Sequence, residues 1–506
     1  MFIFFLVLIA LSIAYYFHLL WRQTYFKRLG LPYPKTSSLL LGNVKELQEE
    51  LRPLHKMVEW ESELGNTYGT IEGGHFTIVT SDLTILQDVF VKKFENFHGR
   101  KLPLPVAIDQ ENSPFNNDVF GSQGLRWKRL RAISNPSFTQ SKLKALEHMI
   151  QDSVLKFIEI CRSHENEVYD INPLFNRLTM DVIQRVAFGR PESTLYGEVA
   201  EPVIALARKT FNPDPIYTNV IAAFFTSTYD FLPVTKHLFS FLRRYAGDAF
   251  PALRCQLGEV VSERKKLIAA GKVPPVDFIQ MFLDAQADSS QAEKLNVQMH
   301  SKIDRSAMKI DRKLTEEEII SQCTTFLLAG YDTTANSLAF LTYHLAMNPE
   351  IQRRLYDEIM AVCPNEADVC METVNKIPYL EWCIKESLRL NPIGAAVCSR
   401  KCSETTRVGS QGLLVEKGVN AKILFRFNPL NEEAATRHPL AFQSFGTGPR
   451  TCIGMRFALI EEKLATVHLL KNFFVESCAE TRIRRRGLVM MVPEEVKIIL
   501  RPRLVD

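Results

Sequence analysis

The sequence predicts a mainly α-helical protein with small β-sheets, tethered at its N-terminus by one transmembrane helix. Three observations predict it. Met1 to Trp21 contains no charged side chain. Helical apolar periodicity dominates from Leu83 to about Leu500. Strand-like alternation gathers in one stretch, residues 65–80, where Tyr68, Ile71, Phe76, Ile78 and Val79 stand among Gly65, Gly69, Thr70 and Thr77. The 506 residues are 46% hydrophobic, ample for a large core, and no Gly/Ser-rich or Pro-rich linker or internal repeat divides them. One large helical domain is therefore expected.

About twenty apolar residues rising 1.5 Å each span about 30 Å, the thickness of bilayer hydrocarbon. The first cation is Arg22, followed by Lys27 and Arg28, which by the positive-inside rule leaves the body in the cytosol. A cleavable signal peptide is the competing reading. Against it, the apolar run is long, no basic residue precedes it and no small-x-small site stands near Trp21. The expected division is an anchor over 1–21, a basic hinge stiffened by Pro32 and Pro34 over 22–43, and a catalytic domain over 44–506. With 61 Lys+Arg against 57 Asp+Glu the net charge is +4, which argues against nucleic-acid binding. Cys398 and Cys402 lack a second ligand pair, which argues against zinc, and the scattered cysteines suit a reducing compartment. Lys101–Gly121 and Ala285–Lys313 read as long loops. The apolar Val220–Leu242 segment reads either as a buried helix pair or as a substrate mouth dipping into the bilayer.

Trp127 and Arg131 lie four apart on one helical face. They read either as part of a basic amphipathic helix or as an indole N–H and a guanidinium that hold one anion. Leu314 to Met347 reads as one long helix, opening on Thr315-Glu316-Glu317-Glu318 and containing Gly330-Tyr331-Asp332-Thr333-Thr334. A mid-helix glycine costs roughly 1 kcal/mol against alanine. The missing side chain is expected to leave room for a small ligand or water, with the acid Asp332 and the hydroxyl of Thr333 at the opening. Glu386 and Arg389, three apart in a helix ended by Asn391-Pro392, can pair on one face. Arg400 follows in Ser399-Arg400-Lys401.

The most informative segment is Phe445-Gly446-Thr447-Gly448-Pro449-Arg450-Thr451-Cys452-Ile453-Gly454. Met455 to Phe473 reads as a helix, so Cys452 stands just before a helix N-terminus, where unpaired N–H groups and the positive helix end favour a thiolate. Gly448 and Gly454, lacking Cβ, let the backbone fold around the sulfur and approach a flat ligand. Arg450 suits a carboxylate, and Phe445 would shield the sulfur from water. A dinucleotide-binding loop is excluded, because Thr451 occupies the third glycine position and Arg456 comes early in the helix.

This loop resembles the cysteine-ligand loop of the cytochrome P-450 superfamily, the haem-thiolate monooxygenases. The anchor and its prolines are similar to those of microsomal members. The resemblance runs from about residue 30 to 500, with every motif in the family's order. It implies the cytochrome P-450-like helical fold and haem b (iron protoporphyrin IX) with Cys452 as axial ligand to the iron. It also implies propionates held by Trp127, Arg131, Arg400 and Arg450. Thr333 and Asp332 would be the proton-delivering pair of the oxygen-activating helix, and Glu386 with Arg389 a structural pair behind the haem. The implied reaction inserts one oxygen atom from O2 into a small lipophilic substrate such as a sterol, fatty acid or xenobiotic. The chain has no flavin or dinucleotide motif, so electrons are expected from a separate NADPH-dependent flavoprotein reductase. The cations Lys128, Arg129, Lys142, Lys144 and Arg456 are a candidate docking surface for it. The implied location is the endoplasmic reticulum membrane, single-pass, with the body cytosolic.

One departure stands out. The family's strand, short helix and meander before the cysteine loop need roughly twenty residues more than Val419–Ser444 supplies. Phe425-Arg426-Phe427 is the nearest remnant of the meander motif, with Arg426 standing where an arginine would complete the Glu386–Arg389 pair. A non-catalytic or haem-deficient membrane protein of the same fold is therefore the second expectation. A haem isomerase or peroxide-using enzyme is a third, against which the Asp332-Thr333 pair argues.

Overall fold

The computed structural model describes residues 2–49, 53–101, 117–190, 192–193, 200–211, 238, 249–275, 277–286, 313–394, 398–423, 438–487 and 490–503. Phe2–Gln23 is a single helix with its apolar side chains turned outward. Among the described residues it is the one helix long and apolar enough to cross a membrane. Apolar surface of that kind is unfavourable in water and favourable in hydrocarbon. The chain then docks directly on the body. Arg22 is buried and donates to the carbonyls of Leu39 (3.3 Å) and Leu40 (3.1 Å). Tyr25 stacks on Phe76 at 4.0 Å. Phe26 is fully buried in a slot left by Gly69, where a Cβ would stand 2.3 Å from its ring.

The alternating stretch forms the hairpin Thr67–Glu72 and His75–Thr80, in register Thr67 to Thr80, turning through Gly73 at φ +60°. This hairpin is half of a four-stranded sheet. Asn420–Ile423 pairs parallel to its second strand, and Ser399–Lys401 pairs antiparallel beyond that. Smaller sheets join Val168–Asp170, Lys497–Pro502 and Phe473–Glu476, and pair Thr406–Val408 with Leu413–Val415.

Helices dominate the remainder, arranged around Glu316–Met347, a central helix of 32 residues. Its start is set by a capping box. Thr315 Oγ1 accepts the N–H of Glu318, whose carboxylate accepts the N–H of Thr315. Asn172–Phe188 packs along it as a nearly all-buried helix, and Thr179 Oγ1 donates to the Tyr331 carbonyl at 2.8 Å. Gly330 marks their closest approach, since a Cβ there would lie 2.7 Å from Ile183 Cδ1. This corrects the expectation of an opening at Gly330: the missing side chain lets two helices meet.

A second correction concerns Arg129. It is 1% exposed and forms a bidentate pair with Glu318, Nη1 to Oε2 at 2.9 Å and Nη2 to Oε1 at 2.5 Å. It fastens the helix Gly124–Ser134 to the start of the central helix and is no part of a surface. Lys128, Lys142, Lys144 and Arg456 are exposed. Most of the Lys101–Gly121 loop, the Ala285–Lys313 loop, the Val220–Leu242 segment and Arg426 lie outside the described residues.

Candidate functional site

Cys452 stands three residues before Met455, the first residue of the helix Met455–Asn472, which is capped by Gly454. Its N–H donates to the Phe445 carbonyl at 2.8 Å, and Gly446 N–H donates to the Gln443 carbonyl at 2.7 Å, which closes the loop around the sulfur. Gly448 sits at φ +70°, and a Cβ there would stand 1.9 Å from the Phe90 carbonyl. Its bareness is consumed by backbone approach within the protein. A Cβ at Gly454 would make only an ordinary 3.8 Å contact with Phe138. Phe445 is half-buried against the main core. The Cys452 side chain is enclosed by protein yet keeps accessible surface, so it lines an internal chamber. Burial pushes its thiol up, while the Gly454 N–H, Arg131 and Arg100 pull it back toward the thiolate. A coordinating metal ion would tip that balance to the thiolate outright.

Around this loop the fold gathers four guanidinium groups. Arg450 is 2% exposed, lies 4.7 Å over the Trp127 ring, and donates to the carbonyls of Phe120 and Ser122. Arg131 donates to the Thr451 carbonyl at 2.8 Å. Arg400 is buried 4.4 Å over the Phe90 ring and donates to its neighbour's carbonyl, that of Ser399. Arg100 lies 4.5 Å over the Phe120 ring, with Nη2 donating to the Arg450 carbonyl. Arg100 reaches Arg400 because Lys401 N–H donates to the Gly99 carbonyl, bridging its loop to the strand.

These cations hold one another down. Burial, then Arg100, brings Arg400 to about 9. Burial and the charges of Arg100, Arg400 and Arg131 hold Arg450 well below the usual range, with Asp118 as the nearby carboxylate. The buried Nε atoms of Arg400 and Arg450 have no partner among the described residues. Crowding buried like charges costs several kcal/mol each unless an anion answers them. A flat group with two carboxylates and a thiolate-ligated metal would do so, and a haem fits this donor set.

The central helix is buried from Ser321 to Thr342 except at Thr325, Ala329, Gly330 and Thr333. Thr325, Ala329 and Thr333 recur every four residues, so they form one accessible stripe on a core helix. Thr333 Oγ1 donates to the Ala329 carbonyl at 2.7 Å. Asp332 does not share that opening. It is 8% exposed and faces Asn336 and Arg208, with Oδ2 unpartnered among the described residues, and burial pushes it up to about 6. On Pro378–Leu390, Arg389 Nε donates to Glu386 Oε2 at 2.7 Å, so the two pair as their spacing predicts.

Trp127, Arg131, Arg400, Arg450 and Cys452, separated in sequence, are thus neighbours in space. Sequence reasoning missed Arg100 and Asp118. Neither stood in a recognisable motif, and each acquires its place from a loop tied to a strand or to the central helix.

A helical fold built around one central helix, with a cysteine loop beneath a cation cluster, defines a haem-thiolate class of protein. The cytochrome P450 family model matches residues 32–425 and 423–500. Among similar proteins of Caenorhabditis elegans, cytochrome P450 CYP13A8 is 33% identical, covering 99% of this chain and 100% of its own. CYP13A1 is 32% identical over 98% of both chains, and cyp-13B1 is 31% identical over 99% of both. The chain belongs to the cytochrome P450 family, whose members are in general haem-thiolate monooxygenases. The family match falls into two overlapping pieces that meet at 423–425.

Proposed function

We propose that this chain is a membrane-anchored monooxygenase that binds haem b through Cys452 and inserts one oxygen atom from O2 into a small lipophilic substrate. Electrons come from a separate NADPH-dependent flavoprotein reductase, and the protein sits in the endoplasmic reticulum membrane with its body in the cytosol. The observation that carries the reading is the pairing of an enclosed but accessible Cys452 with four guanidiniums at its loop. Bound haem supplies one-electron and O2 chemistry. The protein's own residues do the rest. Arg100, Arg131, Arg400 and Arg450 hold the propionates. Trp127 lies under the Arg450 guanidinium and fixes its plane. The apolar stripe edge at Ala329 excludes water from the reacting face. Thr333 holds a proton on Oγ1, now directed at the Ala329 carbonyl, and Asp332 is the buried acid one residue away that resupplies it through water. Glu386 and Arg389 form the structural pair on their helix, and Arg426, which the sequence offers as a third member, lies outside the described residues.

A second reading, a haem-deficient P450-like membrane protein, draws on the division of the family match at 423–425. One experiment decides between them. The purified chain is expected to carry one haem per protein, with the strongly red-shifted Soret band of a thiolate-ligated carbonyl complex, and Cys452→Ser is expected to lose that band. A folded protein with haem far below one per chain would establish the second reading. An unshifted, histidine-like band would remove Cys452 as ligand.

A further inference from the structure

The four-stranded sheet that carries Arg400 has a second face, whose charges the reaction does not use. Strand register decides which residues share it. Lys422 stands between Val79 on one neighbouring strand and Ser399 on the other. Thr77, Asn420 and Lys401 form the next rung on that face, because side chains two apart along a strand point the same way. Arg400 and Ala421, one residue off, point to the opposite face. Lys401 and Lys422 are diagonal neighbours, a pairing in which Cβ atoms stand about 7–8 Å apart.

Lys101 enters the same face from its loop. Its Nζ pairs with Glu72 and donates to Thr77 Oγ1 at 3.0 Å, Thr77 Oγ1 donates to Glu72 Oε1 at 3.1 Å, and Ser399 Oγ donates to the Lys101 carbonyl at 3.3 Å. These bonds answer Lys101 and no other cation. Lys422 is 8% exposed and Lys401 is half-buried, and neither has a hydrogen-bond or ion-pair partner among the described residues. His75, two residues before Thr77 on that face, is pushed down to about 3 by burial and then by Lys101, so it is neutral. Burial, then the charge of Lys101, brings Lys422 down to about 8, with Glu72 pulling it back, so it stays a cation at neutral pH. Three lysines thus meet one carboxylate, and a buried ammonium without an anion is costly. The foot of the membrane-length helix is fixed across the same sheet. Phe2–Gln23 ends two residues before Tyr25, which stacks on Phe76, and Phe26 fills the slot at Gly69.

We propose that Lys422, flanked by Lys401 and Lys101, binds the anionic head, carboxylate or phosphate, of a hydrocarbon-tailed amphiphile. Charge-assisted hydrogen bonds from the unanswered lysines hold the head, and the neighbouring membrane helix keeps the site within reach of molecules whose tails lie in a bilayer. Neutral alcohols and esters lack the charge that the site answers. The site is independent of haem, since it lies on the sheet face turned away from Arg400.

The test uses the full-length protein in bilayer discs of phosphatidylcholine, with empty discs of the same lipid as the blank. Equilibrium dialysis at neutral pH reads the binding of dodecanoate, dodecan-1-ol and acetate. Dodecanoate is expected to bind about tenfold tighter than dodecan-1-ol, the worth of one hydrogen bond to a charged group, and acetate is expected not to compete. Lys422→Met keeps the apolar stem and is expected to erase the preference, whereas Lys422→Arg is expected to keep it. Glu72→Gln, which releases Lys101 and still accepts from Thr77, is expected to raise dodecanoate affinity several-fold, a gain that a misfolded chain cannot give. Phosphatidic acid added to the discs tells the sources apart: displacement of dodecanoate assigns the site to a lipid headgroup, and undiminished binding assigns it to a free carboxylate. Equal affinities for dodecanoate and dodecan-1-ol, binding of neither, competition by acetate at matched concentration, or a preference that survives Lys422→Met would each overturn the proposal.

Discussion

The start of the central helix and the cysteine loop both bury arginines, and the two regions answer those charges differently. Arg129 meets the Glu318 carboxylate with both Nη atoms. Arg264 meets Asp277 in the same way, at 3.0 and 2.7 Å. Arg400 and Arg450 instead donate to neutral carbonyls and sit among other guanidiniums. Asp332 is the acidic counterpart, buried with one oxygen unpartnered among the described residues. Arg129 and Arg264 are answered by carboxylates and hold elements of the fold together, whereas the Arg400 and Arg450 cations stand where an anionic group would answer them.

Arg129→Ala tests the answered set and carries the largest expected effect. It strands Glu318 in the core, which is expected to cost about 3–5 kcal/mol in urea unfolding of both haem-free and haem-loaded protein. A loss below about 1 kcal/mol would erase the contrast, since it would mean that the pair contributes no more than a surface bridge.

Asp332→Asn probes the unanswered set. The carboxyl stands at about 6 in the fold against an ordinary 3.8. Between those values the folded state holds more protons than the unfolded state, so stability falls as pH rises through the window, and the full cost persists above it. The asparagine variant is expected to be more stable at pH 7, by at most about 2–3 kcal/mol, with the gain gone by pH 4. Turnover is expected to fall in the same variant. A gain that does not vary with pH would show that the carboxyl is not the source of the cost.

Arg400→Leu is expected to change the haem-free protein by less than about 1 kcal/mol, because it removes a buried cation that no carboxylate answers. The same substitution is expected to speed haem loss several-fold, measured by transfer to excess apomyoglobin. Destabilisation of the haem-free protein as large as that of Arg129→Ala would make the cluster a structural element.

Thr333→Ala has the smallest expected effect on stability, within about 0.5 kcal/mol, since its hydroxyl lies on the accessible stripe. Haem content and the substrate-induced spectral change are expected to persist. Product yield is expected to fall by 10²–10⁴-fold, the usual worth of a general acid–base step, with electrons diverted to peroxide. A loss under about threefold would remove Thr333 from proton delivery.

What could be read from the chain alone depended on sequence distance. The N-terminal apolar helix, the hairpin over 67–80, the central helix with its Thr315 cap, the Glu386–Arg389 pair and the Cys452 loop are all set by neighbours within about one helical turn or one hairpin. Periodicity, capping and i,i+3 spacing report such contacts directly. The partners that complete those elements were not legible. The hairpin's sheet is finished by Asn420–Ile423 and Ser399–Lys401, more than three hundred residues later. Gly330 looked like a ligand opening until Ile183 was found against it, and Arg129 looked like a surface cation until Glu318 was.

The family and the presence of a membrane-length helix were therefore determined by the sequence itself, because each is written in contiguous residues. The cation cluster was decided by the tertiary structure. Arg100, Arg131, Arg400 and Arg450 acquire a common purpose only when a loop, a helix and a strand converge.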